Sequence, residues 1–136
     1  VHSYAKLSAE CENVDKETLF ILEAAALTHD IGIHLCEEKY GDCSGKLQEK
    51  EGPAIAARLL GELEFEKQVS ERVQYLIAHH HTYNNINEID YQILVEADFL
   101  VNIMEDGLTK EAALKAYHSI FKTACGKMIC REMFDI

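Results

Sequence analysis

The sequence predicts an all-α fold, a single-domain helical bundle of about six helices. Three observations carry that expectation. Proline occurs once in 136 residues. No segment alternates polar and apolar residues with a period of two. Apolar positions recur instead three and four residues apart, the spacing that gathers side chains on one helix face. A chain of this length is one domain, spanning 1–136, and long enough to bury a core.

The first helix is expected over Val1 to Cys11. A second covers residues 16–29, where Leu19, Leu22, Ala26 and His29 form one stripe that turns His29 inward. Gly32 then lets the chain turn. Residues 31–51 contain Gly41, Gly45 and several charges and read as a loop, longer than most connections and therefore functional or disordered. Gly52-Pro53 reads as a helix start, since proline is tolerated in a first turn. That helix runs to Leu60 or Leu63. The next spans Phe65 to His80, with Val69, Val73, Leu76, Ile77 and His80 on its inner side. Asn84-Asn85-Ile86-Asn87 is a turn. A strongly apolar helix covers Asp90 to Glu105 and stops at Asp106-Gly107. Thr109 caps a last helix from Lys110 to Cys130, within 109–131, whose stripe is Ala113, Ala116, Tyr117, Ile120, Phe121 and Ala124. There is no repeat, low-complexity segment or linker.

Charge narrows the range of partners. With 13 basic and 24 acidic residues the chain carries −11, which argues against a nucleic-acid polymer or an anionic membrane as its main partner. A small phosphorylated substrate remains compatible where a cation sits in the site. The cysteines, Cys11, Cys36, Cys43, Cys125 and Cys130, are odd in number and form no C-x-x-C pair, as in a reduced intracellular chain. No signal peptide or apolar run of transmembrane length is visible, and a cytoplasmic location is expected. The chain opens on Val1 and not on methionine, which leaves room for residues upstream.

The chemistry concentrates in a few polar residues on apolar segments. His29-Asp30 ends the run Ala24-Ala25-Ala26-Leu27-Thr28. Consecutive residues point about 100° apart on a helix, so both meet one cation only at a helix end, where Ile31-Gly32 allows a bend. Asp98 sits among Leu94, Val95 and Val101. Burying an unpaired carboxylate costs several kcal/mol, so Asp98 either bonds a buried histidine or backbone group or ligates a metal. Of His79, His80 and His81, His80 falls in register with Leu76 and Ile77 and points inward. His34, four residues after Asp30, lies either in the same pocket or in solvent, and His118 is structural or at the surface. Nitrogen and oxygen donors on several apolar helices predict an internal metal site.

The order His2, His29-Asp30, Asp98 resembles the H…HD…D pattern of the HD-domain superfamily of metal-dependent phosphohydrolases. The likeness covers Val1 to about Met104 and rests on His2, Leu27-Thr28-His29-Asp30-Ile31-Gly32, Ile77-Ala78-His79-His80-His81 and Glu96-Ala97-Asp98. It implies an HD-type helical core, with 109–131 as an added C-terminal helix. It implies His2, His29, Asp30 and Asp98 as ligands of a divalent ion, with Asp30, His80 and His81 in catalysis. That donor set suits Mn, Fe, Co, Ni or Mg, with Zn also admitted. Subfamilies with two metals place a histidine where this chain has Leu47-Gln48-Glu49-Lys50-Glu51-Gly52-Pro53, so Gln48, Glu49 or Glu51 would have to serve, and a second metal is left open. Thr82-Tyr83-Asn84-Asn85 departs from the cyclic-dinucleotide branch, and that substrate is not assigned. The resemblance implies hydrolysis of a phosphomonoester or phosphodiester, nucleotide-like by analogy, by metal-activated water. Lys46 and Arg58 are the nearest basic residues for phosphate contact. The alternatives are a di-iron oxygenase of the same superfamily and a non-catalytic metal-binding regulatory module. The last helix, with Tyr117, Phe121 and Met128, either packs on the core or forms a homodimer face.

Overall fold

The computed structural model describes residues 1–136. Eight helices follow in order with no strand: α1 (His2–Cys11), α2 (Lys16–Thr28), α3 (Ile33–Tyr40), α4 (Gly45–Glu62), α5 (Lys67–His79), α6 (Ile89–Glu105), α7 (Lys110–Ser119) and α8 (Ala124–Phe134). α2 lies against α1, α5 and α6, and α4 packs along α5. α1 also meets α6 and α8, α3 flanks α4, and α7 and α8 pack on each other and on α6. The main core gathers Leu22, Ala25, Leu60, Val73, Leu76, Ile77, Tyr91 and Leu94. A second cluster, Leu100, Ile103, Ala113, Phe121, Ile129 and Cys130, seats α7 and α8.

The expected helices over 1–11, 16–29, 65–80 and 90–105 form with small shifts at their ends. Asp15 caps α2 by accepting the Thr18 amide at 2.7 Å. Ala24, Ala25 and Ala26 are buried on α2, where short side chains let neighbouring helices approach closely.

Two expectations are corrected, and they raise the count from six to eight. Residues 31–51 are not a loop. They hold α3, closed by Gly41 at φ +67°, and the first turns of α4. Gly41 and Gly45 mark helix ends. Pro53 does not start a helix but lies inside α4, where it lacks the N–H that would bond the Glu49 carbonyl. Gly52 serves close packing. A Cβ there would stand 2.8 Å from Ile77 Cγ2, and one on Gly32 would stand 3.0 Å from the Gly52 nitrogen. The turn after α2 is thereby held against α4.

The single last helix also divides in two. Thr109 caps α7 through the Ala112 amide as expected. The chain then breaks at Ile120 to Thr123, and Thr123 caps α8 through the Gly126 amide at 3.0 Å. A buried carboxylate causes the break. Glu96 on α6 accepts from the amides of Lys122 (3.0 Å) and Thr123 (3.1 Å), from the Thr123 hydroxyl (2.6 Å) and from Gln92. Tyr117 and Ile120 are half-buried and Ala124 is exposed, so the expected stripe does not continue through the break.

The expectation of five reduced cysteines is also corrected. Cys11 and Cys125 form a disulfide joining α1 to α8 across a sequence separation of 114, with Cα atoms 6.2 Å apart. Helix packing brings them together, and no local spacing announces it. Cys36, Cys43 and Cys130 remain free. Contrary to expectation, the stretch Lys16–Tyr40 is long and apolar enough, by length and composition, to cross a membrane, with mean hydropathy 1.4. In this fold it is two helices broken at 29–32, and Leu22, Ala24, Ala25 and Ala26 belong to the core.

Glu96→Gln puts an amide among four donors, and we expect a loss of about 2 to 4 kcal/mol in urea unfolding, with α8 amides first to lose hydrogen-exchange protection. Replacing Cys11 and Cys125 by serine lengthens the free chain of the unfolded state, and we expect a loss of about 4 to 5 kcal/mol in the same assay.

Candidate functional site

α6 is buried on nearly all sides and carries three buried carboxylates, Asp90, Glu96 and Asp98. Asp90 is answered by Arg72, which donates to its two oxygens at 2.7 and 2.9 Å. Glu96 is answered by the α7–α8 junction. Asp98 has no hydrogen-bond donor of that kind. Its nearest charged neighbour is His29, whose Nε2 lies 3.4 Å from Asp98 Oδ1.

His29 caps the C-terminus of α2, and the chain turns there. That turn brings Asp30 back toward its neighbour, with Oδ2 3.2 Å from His29 Nε2. The far side of the ring fixes the tautomer: Nδ1 donates to the Ala26 carbonyl at 2.8 Å. In the neutral ring Nε2 is therefore an unprotonated nitrogen. It is buried, faces two carboxylates, and makes no hydrogen bond of proper geometry. Such a group requires a positive charge, as a proton or as a metal ion. With a proton, burial alone would pull the His29 pKa down, but Asp30 and Asp98 more than offset this and raise it to about 10. Burial raises the Asp30 carboxyl, and the facing His29 brings it below its usual range.

His80 stands edge-on to His29, ring centroids 5.4 Å apart. It is fully buried and donates from Nδ1 to the Ile77 carbonyl at 2.6 Å. Burial first, then the neighbouring His81, push its pKa down to about 4. His80 is thus neutral, with Nε2 as a second unprotonated nitrogen. Gln48 lies beside it: its amide nitrogen donates to the Cys43 carbonyl, turning Oε1 toward His80 (3.4 Å) and His81 (3.3 Å). His81 donates from Nε2 to Gln48, and its Nδ1 accepts from the Tyr83 hydroxyl at 3.3 Å. The His81 ring packs on Gly45, where a Cβ would fall 2.7 Å from Cγ.

His29, Asp30, Asp98, His80, His81 and Gln48 are therefore drawn to one region between the ends of α2 and α5, the start of α4 and the middle of α6. The other expected residues are engaged elsewhere. His2 is paired away from His29. Its Nε2 pairs with Glu23 at 3.0 Å, a residue roughly 9 Å back along the α2 axis from His29. No three His, Cys, Asp or Glu side chains enclose a common ion position as they stand. Glu49 clamps α4 to the end of α5, accepting from the His81 amide (3.0 Å), the Thr82 hydroxyl (2.8 Å) and Lys46 (3.0 Å). Lys46 also reaches Thr82 and stands at the rim. Glu51 is held by Tyr40 and Lys39, and His34 pairs with Glu38 in solvent. Arg58 is exposed on α4, roughly 15 Å along the axis from Gln48.

Tyr83 is the member that sequence reasoning missed. It contacts His81 and stacks edge-on against Phe99, centroids 5.0 Å apart. Burial, then the Asp98 and Glu49 carboxylates, raise its hydroxyl pKa. No periodicity or motif could have found it, because it follows the last turn of α5. Neither a protein-family model nor a curated protein nor a solved structure gives a significant match to this chain.

The His29 pKa gives a signed expectation for the metal-free protein. The folded value, about 10, lies above the ordinary 6.5. The stability it contributes is fully present below that ordinary value and is lost as the pH rises through about 10. Urea midpoints across this range should fall with pH, and Asp98→Asn should flatten the slope and lower the His29 titration seen by NMR.

Proposed function

We propose that the chain is a metal-dependent phosphohydrolase acting on a small phosphomonoester or phosphodiester of nucleotide-like character. One observation carries the reading: the buried Nε2 of His29 has no hydrogen-bond partner and faces the carboxylates of Asp30 and Asp98. A nitrogen and two carboxylate oxygens are a fitting donor set for a divalent ion such as Mn, Fe, Co, Ni, Mg or Zn. His29, Asp30 and Asp98 would hold it, and His2 would join as a fourth donor on leaving Glu23.

The ion would supply polarisation of the phosphoryl group and an acidified bound water. Asp30 has a half-exposed side chain, so its carboxylate can also accept from and orient the attacking water. His81 is half-buried beside Tyr83, and a second proton on its ring would serve the leaving oxygen. His80, neutral and buried, fixes the inner wall, with Nε2 turned to the Gln48 amide oxygen. Lys46 brings a positive charge to the rim, where a phosphate would enter. The net charge of −11 keeps polymeric nucleic acid and anionic membrane off the surface. A cytoplasmic setting goes with this reading, with the Cys11–Cys125 disulfide as the one feature of an oxidising environment. The amide of Gln48, in place of an imidazole, favours one metal over two and a hydrolase over a di-iron oxygenase.

Elemental analysis of the purified protein, followed by a panel of phosphate esters under each divalent ion, tests the proposal. Asp30→Ala should lose both the metal and nearly all turnover, about 100-fold or more. Full activity in that variant removes the mechanism. A metal-loaded protein that cleaves no ester is a binding module instead.

A further inference from the structure

Far from the site, the start of α2 and the corner between α4 and α5 enclose an open groove of about 700 Å³. Its floor is apolar: Phe20, Leu63, Phe65 and Val69. Phe20 and Leu63 are 52% and 59% exposed, although both are large and apolar. Phe20 stacks on Phe65 with centroids 5.5 Å apart and planes 16° from parallel, which leaves an aromatic face toward solvent. Glu17, Glu64 and Glu66 line the same groove, against a single Lys16. None of the three carboxylates takes part in an ion pair, although six pairs of Lys or Arg with a carboxylate form elsewhere.

Glu64 adds an independent observation. Four non-glycine residues have positive φ: Asn13, Glu64, Asn85 and Asp135. Asn and Asp tolerate that region, and glutamate does so less well. Glu64, at φ +60°, closes α4 where the Phe65 amide donates to Leu60 at 2.9 Å, a position that suits glycine. A strained acidic residue stands at the groove in place of the residue that would best end the helix.

We propose that this groove docks an amphipathic basic helical segment of a partner protein. An apolar anchor fills the space between Phe20 and Leu63. Lysine or arginine side chains meet Glu17, Glu64 and Glu66 and lie over the aromatic pair. Charge complementarity selects this occupant. A second copy of the chain would bring a further −11 to a groove that is already acidic.

The test uses a synthetic helical peptide about five turns long, apolar on one face and rich in lysine and arginine on the other. A charge-reversed glutamate version is the control. The full chain is titrated by NMR and by fluorescence anisotropy. The basic peptide should bind saturably, move resonances at the start of α2 and the α4–α5 corner, and weaken steeply with salt. Phe20→Ser should weaken it about tenfold or more, and so should Glu17→Gln, Glu64→Gln and Glu66→Gln combined. Glu64→Gly should raise the Tm and still weaken binding, which separates the groove from a purely structural role. The proposal is overturned by absence of binding, equal binding of the charge-reversed peptide, binding that survives Phe20→Ser or Glu64→Gly, or self-association through the groove in sedimentation velocity.

Discussion

A carboxylate enclosed by apolar side chains is stable only when something inside the protein answers its charge. α6 imposes that condition three times. Arg72 answers Asp90, and the backbone donors before α8 answer Glu96. Each answer fixes a neighbouring element: Arg72 ties α5 to the start of α6, and Glu96 divides the C-terminal segment into two helices. Asp98 is answered only by His29, whose ring must first acquire a proton or an ion. The candidate site is thus the one place on α6 where the counter-charge depends on a proton or an ion taken up from solution.

The surroundings keep that place in shape. Gly32 and Gly52 allow the turn after α2 to lie on α4, and Gly52 also admits Ile77 of α5. Backbone carbonyls of Ala26 and Ile77 accept from Nδ1 of His29 and His80, so both rings turn Nε2 toward the interior. Glu49 holds the end of α5 to α4 from the outside. The result is a buried inner wall, with Asp30, Lys46 and Tyr83 exposed at the rim.

Much of this was legible in the sequence. The helices carrying strong three-and-four periodicity, α2, α5 and α6, lie where that pattern places them, and the inward register of His29, His80 and Asp98 follows from it. α3 was illegible because it is short and mostly polar, and Gly41 and Gly45 give the same signal at a helix end as in a loop. Pro53 misled because a proline in a first turn and one in mid-helix look alike from sequence. The break before α8 depends on Glu96, a residue some 25 positions away, so no local pattern reports it. The same holds for Tyr83, whereas Gln48 was singled out from sequence and only its partners, two imidazoles, were not. His2 shows the limit of motif reasoning: it lies on α1, and Glu23 decides where its ring rests.

The Cys11–Cys125 bond makes a covalent ring of everything from the end of α1 to the start of α8. Any one backbone scission within that ring leaves both fragments attached. A protease nicking the exposed Asn84-Asn85 turn would therefore release no piece. Gel electrophoresis would register the cut only after a thiol reagent had opened the ring.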